Sequence, residues 1–345
     1  MSRLDALRAR LEERLLVTNL VNIRYLTGFV TSNAALLVDP EGAAQVFTDF
    51  RYIEEARAIP DVDAELTRRS LISDLAERLS GRLGFEADIL PYSKAEALGS
   101  GGLELVPTTG IVEALRACKD EDEIGLVRRA ALAADRAFEA LTAETWIGRS
   151  ERELAWRLRQ LLHAHGIDHL AFDTAITAGL NGSKPHAEPS DDLVEPRMLV
   201  TADWGARFDG YCSDCTRTVA TGELSKELRR IYDVCLDAQQ AAVAGIKPGM
   251  TGVEADRLAR DVIDAAGYGD NFGHGLGHGV GLLVHEAPRL STESNDVLEV
   301  GNVVTIEPGI YLPGTGGVRI EDLAVVREDG VELLTSFPKD LISVG

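Results

Sequence analysis

A six-residue pattern that occurs twice in the C-terminal two thirds of the chain restricts the fold more than any other feature. Gly148–Glu153 (GRSERE) returns 101 positions later as Gly249–Glu254 (GMTGVE). Each copy contains Ser/Thr-x-x-Glu, the capping box that begins a helix, and each predicted helix ends near a glycine, Gly166 or Gly267, at the same separation. The alternative is a chance likeness of two capping boxes, and the matched glycines argue against it. The repeat therefore predicts a domain with two similar halves.

Longer helices are predicted before both copies, at about Glu121–Ala143 and Ser225–Ala244. In the second, apolar residues recur every three or four positions, as they do on one face of a helix; these residues are Leu228, Ile231, Cys235, Ala238 and Ala242. Strand-like runs follow each helix pair. The sequence thus predicts a C-terminal domain with two pseudo-symmetric helix-helix-strand halves around a shared sheet.

The first 116 residues show a different pattern, in which short apolar runs alternate with helical ones. Helices are predicted near Arg51–Ile59 and Leu71–Arg82, and strands in ERLLVTN, AALLVDP, AAQVFTD, DAELTR, RLGFE and LELVPT. This alternation is typical of an α/β domain on a mixed sheet. The charged run Lys119–Glu123 then predicts a helix N-terminus, where carboxylates suit the helix dipole. We therefore expect an α/β (α+β) chain with two domains. The mixed-sheet domain is expected at 1–116 and the domain with two similar halves at 117–345.

Composition excludes several classes of partner. The chain has 345 residues and a formal net charge of −21, and such an acidic surface repels nucleic-acid phosphates and anionic lipid. No apolar run reaches the ~18 residues that span a membrane, and the first residues lack the apolar stretch of a signal peptide. We therefore expect a cytoplasmic protein that binds neither nucleic acid nor membranes.

The four cysteines do not indicate a disulfide framework in a chain of this size. Cys212 and Cys215 form a Cys-x-x-Cys pair in a strand-like run. A zinc site needs a second ligand pair, and a redox motif needs a helix N-terminus. Neither accompanies the pair, so we interpret these residues as ordinary strand thiols.

The segment LVTADWGARFDGYCSDCTRTVA predicts a hairpin that brings two acids together. Its central Asp-Gly dipeptide is a typical two-residue turn. If Phe208 pairs with Tyr211, then Asp203 and Asp214 become diagonal neighbours on one face, with Cβ atoms roughly 7 Å apart. Two inward-facing carboxylates at that separation repel each other unless a cation lies between them. The alternative is an exposed hairpin whose acids face water.

A glycine-rich run, NFGHGLGHGVGLLVHE, contains three of the seven histidines, His274, His278 and His285. Glycines allow the backbone to approach a ligand closely. The G-x-G spacing superficially suggests a nucleotide-binding loop, but no strand-turn-helix context with a downstream acid accompanies it. The grouped histidines are therefore predicted to be ligand and acid–base groups.

Two further acids, Glu307 and Glu321, lie in apolar strand patterns, TIEPGIY and GVRIEDL. An acid in such a run either faces water at an edge or points at a cation. With Asp203, Asp214 and His278 they form a set of four carboxylates and one imidazole. That oxygen-rich set suits two divalent ions that share carboxylates, with Mn²⁺ preferred to Co²⁺ or Zn²⁺, whereas structural zinc sites favour Cys and His.

Taken in order, these segments resemble those of the Xaa-Pro peptidases of the creatinase/methionine-aminopeptidase superfamily, which includes aminopeptidase P and prolidase. NIRYLTGFVTSNAALLVDPEG and VFTDFRYIEEA are similar to their N-terminal domain. PHAEPS, DGYCSDCTRT, HGLGHGVGLLVHE, IEPGIY and RIED resemble successive blocks of their catalytic domain. The likeness covers nearly the whole chain. It implies an RNase H-like creatinase N-terminal domain followed by a pita-bread metallopeptidase domain.

The resemblance also implies a dinuclear exopeptidase that hydrolyses the Xaa-Pro bond. Asp214 and Glu321 would bridge two metal ions. Asp203 would complete the coordination of one ion, and His278 and Glu307 that of the other. A hydroxide bridging the metals would attack the scissile carbonyl. Glu307 would take the proton and pass it to the leaving proline nitrogen.

Further positions are implied to act around the metals. His186 and His285 match residues that steady the substrate and the tetrahedral oxyanion. His274 and Arg319 match positions near the leaving group, where Tyr311 would donate a hydrogen bond. Thr216 would orient a bridging acid.

The sequence leaves rival functions open. Methionine aminopeptidase shares the ligands but lacks so large an N-terminal domain, and creatinase shares the fold but lacks the carboxylate ligands. Some pita-bread domains only bind peptides, usually with eroded ligands. Arg289 is placed either to bind the free carboxylate of a product proline, as a dipeptidase requires, or to be a surface residue.

For its partners, the resemblance implies short proline-containing peptides as substrates. It also implies a homodimer in which the N-terminal domain of one chain borders the active site of its partner. The N-terminal domain carries no predicted metal ligand, so its expected contribution is to shape and close the substrate cleft.

Overall fold

In the computed structural model, which describes residues 2–167 and 169–345, the chain divides into two units, Met1–Arg116 and Ala117–Gly345. Among the described residues, an apolar core of the first unit packs residues of the sheet against helices. Apolar cores of the second unit likewise combine residues of helices and strands. No helix among the described residues is long and apolar enough to cross a membrane.

The first unit is built on a six-stranded mixed sheet in the order β4-β3-β2-β1-β5-β6. Its strands are β1 (Leu15–Val17), β2 (Ala34–Val38), β3 (Ala44–Thr48), β4 (Val62–Leu66), β5 (Arg82–Glu86) and β6 (Glu104–Thr108). Strand β2 runs antiparallel to β1 and β3, whereas the β1–β5, β3–β4 and β5–β6 pairs are parallel. All the predicted strands are present, and the sheet is mixed as predicted.

Short helices accompany this sheet: α1 (Arg3–Arg8), α2 (Leu20–Thr27), α3 (Ile53–Ala56), α4 (Leu71–Arg78), α5 (Tyr92–Gly99) and α6 (Ile111–Ala117). Helix α3 is shorter than the predicted Arg51–Ile59, because the Asp49 carboxylate accepts from the Arg51 backbone N–H and holds that residue in a turn. Helix α4 ends before the predicted Arg82, because that residue begins the next strand.

The second unit contains two pairs of helices: α7 (Glu121–Thr142) with α8 (Glu151–Ala164), and α9 (Lys226–Gly245) with α10 (Gly252–Ala265). Both predicted capping boxes form, at Ser150 before α8 and at Thr251 before α10. The matched glycines after these helices, Gly166 and Gly267, have nearly equal φ values of +85° and +89°. The repeat seen in the sequence is therefore a repeat of local structure.

The strands of the second unit are β7 (His169–Leu170), β8 (Ala175–Ala178), β9 (Leu199–Trp204), β10 (Ala206–Phe208), β11 (Tyr211–Cys212), β12 (Cys215–Ala220), β13 (Gly277–Gly279), β14 (Glu286–Leu290), β15 (Val303–Ile306), β16 (Gly309–Leu312), β17 (Gly316–Arg319), β18 (Asp322–Arg327) and β19 (Gly330–Leu333). The sheets β12-β9-β8 and β11-β10-β7 follow the first helix pair. The sheets β14-β13-β15-β18-β19 and β16-β17 follow the second.

The expectation of one shared sheet is therefore wrong: the strands divide into several short sheets. The ladders are interrupted around 213–214, 307–308 and 320–321, where the backbone leaves strand geometry. A backbone hydrogen bond of 3.1 Å from the Glu321 N–H to the Thr216 carbonyl joins the two halves at one of these interruptions. The acids predicted as ligands lie at or beside these breaks, so their side chains meet between the sheets.

Candidate active site

A hairpin in the first half positions two of the acids. Phe208 pairs with Tyr211 across the turn, and Asp203 pairs with Thr216 further along. Both pairs belong to one register, which is the register predicted from the sequence. Asp214 consequently lies diagonally across from Asp203.

The second half adds the third acid and the fourth. Strands β15 and β18 are antiparallel, with Ile306 opposite Asp322. Glu307 follows Ile306 and Glu321 precedes Asp322. The two acids therefore lie beside each other just beyond the paired ends of the two strands. Carboxylate oxygens of Asp203, Asp214 and Glu321 all lie within 4.8 Å of one another. The two halves thus contribute acids to one cluster.

The imidazole of His278 lies beside this cluster. Its Nε2 is 3.3 Å from Glu307 Oε1 and 3.7 Å from Asp214 Oδ2. The structure therefore brings all five predicted ligands together. Sequence reasoning missed Thr305, whose hydroxyl accepts from the His278 backbone N–H and donates to Glu307 Oε1, both at 3.0 Å. The two-residue spacing between Thr305 and Glu307 on a strand was a signal that could have found it.

Thr216 and Arg319 contact the acids directly. The buried Thr216 hydroxyl donates to Glu321 Oε2 at 2.7 Å, which is the contact expected for this residue. Arg319 donates to Asp203 Oδ2 at 2.5 Å and to the Thr216 hydroxyl at 3.0 Å. Arg319 was expected near the leaving group, and the structure places its guanidinium against the acid cluster, 4.0 Å from Glu307.

Burial and mutual repulsion shift the acids strongly. The pKa of Asp214 is raised well above its usual value by burial, then by the charges of Glu321 and Asp203. Burial also raises the pKa of Glu321 well above its usual value, and Glu307 and Asp203 add to the shift. Burial likewise raises the pKa values of Asp203 and Glu307, although Arg319 opposes the shift in both.

The donor set fits divalent cations. Four neighbouring carboxylates, two of them buried and two partly buried, are costly to ionise together without a compensating positive charge, and one guanidinium cannot neutralise them all. Among the described residues, Asp203 Oδ1 is buried and has no hydrogen-bond partner. Oxygen-rich sites with one imidazole suit hard or borderline divalent metals.

The other two histidines of the glycine-rich run, His274 and His285, lie near the acids. His274 Nε2 is 3.1 Å from the Tyr311 hydroxyl, which also accepts from Arg319 at 3.0 Å. The His285 ring packs against His278 with 4.3 Å between centroids. Burial lowers the pKa values of His274, His278 and His285, which favours their neutral forms.

A cavity of about 970 Å³ gives access to this cluster. It is lined by the predicted ligands and by most of the other predicted site residues, namely Asp203, Asp214, His278, Glu307, Glu321, His186, His274, His285, Arg289 and Arg319. Tyr311 instead lines an adjoining cavity of about 520 Å³, which shares His186, Asp203 and Arg319. Arg289 is the cross-strand neighbour of His278. Apart from the buried Thr216, every predicted site residue therefore lines one of two adjoining cavities.

The Cys-x-x-Cys pair has no part in this chemistry. Cys212 and Cys215 are free and buried, on two strands of the acid-bearing hairpin. Burial raises the pKa of both thiols, so the reactive thiolate form is disfavoured. The interpretation as strand thiols agrees with this environment.

Comparison with known proteins gives the same picture along the chain. Residues 125–328 match the model of metallopeptidase family M24, and residues 3–118 match the creatinase/prolidase N-terminal domain. The uncharacterized peptidase YqhT of Bacillus subtilis is 46% identical over 95% of this chain and 95% of its own.

Two solved structures are also similar. The Xaa-Pro dipeptidase from Bacillus anthracis is 40% identical with a TM-score of 0.94, over 99% of both chains. The X-Pro aminopeptidase from Thermotoga maritima is 32% identical with a TM-score of 0.88, over 96% of this chain and 97% of that one. The predicted fold class, a mixed α/β N-terminal domain followed by a pita-bread domain, is confirmed. This chain belongs to metallopeptidase family M24 and is a metallopeptidase with a creatinase/prolidase N-terminal domain.

Proposed function

We propose that the protein hydrolyses the Xaa-Pro bond of dipeptides or short peptides with the help of two divalent metal ions. The observation that carries this proposal is the convergence of four carboxylates, two buried and two partly buried, with His278 in the lining of one cavity. Similar proteins named Xaa-Pro dipeptidase and X-Pro aminopeptidase support the choice of substrate.

Five residues of the cluster would hold the two ions: Asp203, Asp214, His278, Glu307 and Glu321. The family resemblance implies that Asp214 and Glu321 would be shared by both ions, that Asp203 would complete one site, and that His278 and Glu307 would complete the other. When bound, two such ions lower the pKa of a shared water, which can then attack a carbonyl carbon. Mn²⁺ is the first candidate for this oxygen-rich set, and Co²⁺ or Zn²⁺ are the alternatives.

The chain's own residues move the protons and hold the substrate. Burial raises the pKa of Glu307, which suits a group that takes a proton and gives it to the leaving proline nitrogen near neutral pH. His285 and His186 line the cavity and stabilise the oxygen of the tetrahedral intermediate. His274, Tyr311 and Arg319 form a hydrogen-bonded chain that orients the leaving group.

Arg289 favours a substrate with a free carboxylate next to proline. Arg289 lines the cavity, as does Asp296, whose carboxylate accepts from the Arg289 backbone N–H at 2.8 Å. A dipeptide such as Ala-Pro carries its carboxylate close to the scissile bond, where such a cation would bind it. We therefore propose dipeptides as the preferred substrates.

The function is tested by comparing Ala-Pro, Ala-Pro-Ala, Ala-Ala and Met-Ala on the same preparation. The enzyme is first stripped with a chelator and then loaded with Mn²⁺, Co²⁺ or Zn²⁺. We expect hydrolysis of Ala-Pro only after metal is restored, and little turnover of Ala-Ala. Preferred cleavage of Met-Ala would instead establish a methionine aminopeptidase activity. Tight binding of one ion with full activity would contradict the dinuclear mechanism.

A non-enzymatic peptide-binding module is the other candidate, but the complete ligand set argues against it. Elemental analysis separates the two readings, because an enzyme of the proposed kind retains about two divalent ions per chain. A metal-free protein that binds Ala-Pro without cleaving it would support the binding module.

We also propose a homodimer located in the cytoplasm. At one end of the six-stranded sheet, the residues after β3 and β5 and before β2 expose large apolar side chains, including Val30 (64% exposed), Phe50 (75%) and Tyr92 (81%). Several large apolar side chains exposed at one end of a sheet favour an interaction surface, and we assign it to a second copy of this chain. The four free cysteines suit a reducing compartment.

A further inference from the structure

A buried ion pair lies next to the loop that carries His285. Lys119 Nζ is 2.8 Å from Glu286 Oε1, and the two side chains are only 1% and 7% exposed. Neither residue has a role in the activity proposed above. A buried ion pair with such complete exclusion of water calls for a reason other than stability, because well-packed apolar residues of similar size serve stability as well or better.

The loop between β13 and β14 is shaped around this pair. Gly281 has no side chain, and a Cβ there would collide with Glu286 Oε1 and lie 2.9 Å from Lys119 Cε. The Gly281 backbone donates to the Leu283 carbonyl at 2.9 Å and accepts from the Cys212 backbone N–H at 2.7 Å. The loop therefore closes over the ion pair and is tied to the hairpin that carries Asp214.

Glu286 and His285 are adjacent in the chain. Glu286 is the first residue of β14, and its carboxylate pairs with the Lys119 ammonium. His285 is the last residue of the bend before β14, and its ring packs against His278 in the cavity that both residues line. Because one peptide bond joins the two residues, holding the Glu286 side chain restricts the backbone that carries the His285 imidazole.

Lys119 supplies a rigid anchor. Its backbone N–H donates to the Gly301 carbonyl at 2.9 Å, and its ammonium donates to the Ala117 carbonyl at 3.2 Å. Cys118 forms a β-bridge with Asn302 beside it. The ammonium is therefore held by a short segment with its own backbone pairing, whereas the loop that it anchors, residues 280–285, lies outside the helices and strands.

We infer that Lys119 and Glu286 are positioning residues, which hold the loop Gly281–His285 so that the His285 imidazole points at the substrate. The inference rests on the proposed role of His285 in hydrolysis. It predicts that the pair acts on turnover through His285, and that it contributes little to folding or to metal binding.

The central experiment removes the pair as a unit, with Lys119→Met/Glu286→Met in the full-length Mn²⁺-loaded enzyme. We expect kcat for Ala-Pro to fall about 10- to 100-fold, as for residues that orient a functional group, with KM changed less than about threefold. Metal content and Tm should stay close to those of the unchanged protein. The single change Lys119→Met should lower Tm more than the double change, because it removes the ammonium partner of the Glu286 carboxylate and leaves that charge in a buried position.

A mutant cycle with His285→Ala separates positioning from general support. If the pair acts through His285, then adding Lys119→Met/Glu286→Met to His285→Ala should lower kcat less than about twofold further. The inference would be overturned if the fold-decreases in kcat of His285→Ala and Lys119→Met/Glu286→Met multiplied in the combined variant. An unchanged kcat in Lys119→Met/Glu286→Met alone would also overturn it. If the double variant does not fold, Glu286→Gln keeps the shape of the side chain and enters the same cycle.

A matched control is the exposed pair Arg128–Glu332, 2.6 Å apart and on the surface. Arg128→Met/Glu332→Met removes the same charges and should leave kcat unchanged; a comparable fall in kcat there would overturn the assignment to His285. The unmodified enzyme is assayed alongside. Failure of that enzyme to cleave Ala-Pro would refute the proposed function, whereas normal cleavage by both enzyme and variant would refute only the inference.

Discussion

A single hydroxyl group at Thr216 joins an acid and a base of the candidate metal site. It donates to Glu321 Oε2 at 2.7 Å and accepts from Arg319 Nε at 3.0 Å. Because a hydroxyl has one hydrogen, this arrangement uses its donor and one of its lone pairs. Glu321 is thereby held in one orientation before any cation binds.

The first prediction concerns this hydroxyl. Thr216→Val keeps the volume of the side chain and removes both hydrogen bonds, so Mn²⁺ affinity should fall about 10- to 100-fold. Calorimetric titration of the metal-free protein measures it. Thr221→Val is the control. Thr221 lies just beyond β12, the strand that contains Thr216, and its buried hydroxyl donates to the Glu195 carbonyl. Equal affinities for the two variants would contradict the role given to Thr216.

The second prediction concerns Arg289. Arg289→Met should raise KM for Ala-Pro about 10- to 100-fold, because a charge-assisted hydrogen bond to the substrate carboxylate is lost. The KM for Ala-Pro-amide, which has no carboxylate, should change little. Steady-state kinetics with both substrates checks this prediction. An equal rise in KM for both substrates would show that Arg289 does not bind the substrate carboxylate.

The third prediction follows from the raised carboxyl pKa values. In the metal-free folded protein, burial raises the pKa values of Asp214 and Glu321 above those of the unfolded chain, about 4. Between the unfolded-state pKa and the raised folded-state pKa, these carboxyl groups are ionised in the unfolded chain and protonated in the folded one. The stability of the metal-free fold therefore falls as pH rises through that range. Metal binding needs the ionised forms and is opposed by protons.

The increase in Tm on adding Mn²⁺ should therefore be larger at pH 7.5 than at pH 5.5. Thermal melts at a fixed metal concentration measure both values. The variant Asp214→Ala supplies the control, since it should show a much smaller increase at either pH. An increase in Tm that is independent of pH would contradict the proposed link between the acids and the metal.

At the scale of elements, the hairpin β9–β12 depends on one glycine. A Cβ at Gly205 would collide with the Ser213 carbonyl and lie 2.5 Å from the Phe172 ring. No side-chain rotation relieves the contact with a backbone carbonyl. The two acid-bearing strands can approach this closely only because residue 205 has no side chain.

The fourth prediction is that Gly205→Ala lowers the free energy of unfolding by roughly 3 kcal/mol and weakens metal binding as well. Gly125→Ala is the matched control. Gly125 lies within α7 with nothing near its absent Cβ, so that change should raise stability by about 0.5–1 kcal/mol. Urea unfolding checks both, and a Gly205→Ala protein of normal stability would show that the hairpin can relax.

The elements that could be predicted from sequence are those fixed by neighbouring residues. The capping boxes at Ser150 and Thr251 and the register across the turn at Phe208 depend on contacts a few residues apart. The division of the strands into separate sheets depends on where ladders end, and contacts far apart in the chain decide that. Helix α3 was overestimated because a side-chain hydrogen bond from Asp49 competes with the helix.

The site follows the same division. The five ligands were predicted from motif spacing and resemblance, and the structure brings them together. The partnership of Arg319 with Asp203 was not predicted, because 116 residues separate the two. Lys119 was interpreted only as part of a helix start, since nothing near it in the sequence reveals Glu286 as its partner.

At the scale of the whole molecule, the fifth prediction concerns the exposed end of the N-terminal sheet. Val30→Ser/Phe50→Ser removes apolar area from that surface, so the Kd of the proposed dimer should rise and the dimer should dissociate at a higher protein concentration. Sedimentation velocity over a concentration series measures the change. Val297→Ser, at an exposed position of the second unit, is the control. A chain that is monomeric before any change would contradict the dimer.

The clustering of Asp203 with Glu321 has a consequence for protein synthesis. The acids come from both halves of the second unit, so a ribosome must translate both repeats before the cluster can exist. An unfinished polypeptide that ends between the repeats has Asp203 and Asp214 without Glu307 and Glu321. Such a fragment lacks two ligands of the proposed dinuclear centre, so an abandoned translation product of this length would not carry the proposed peptidase activity.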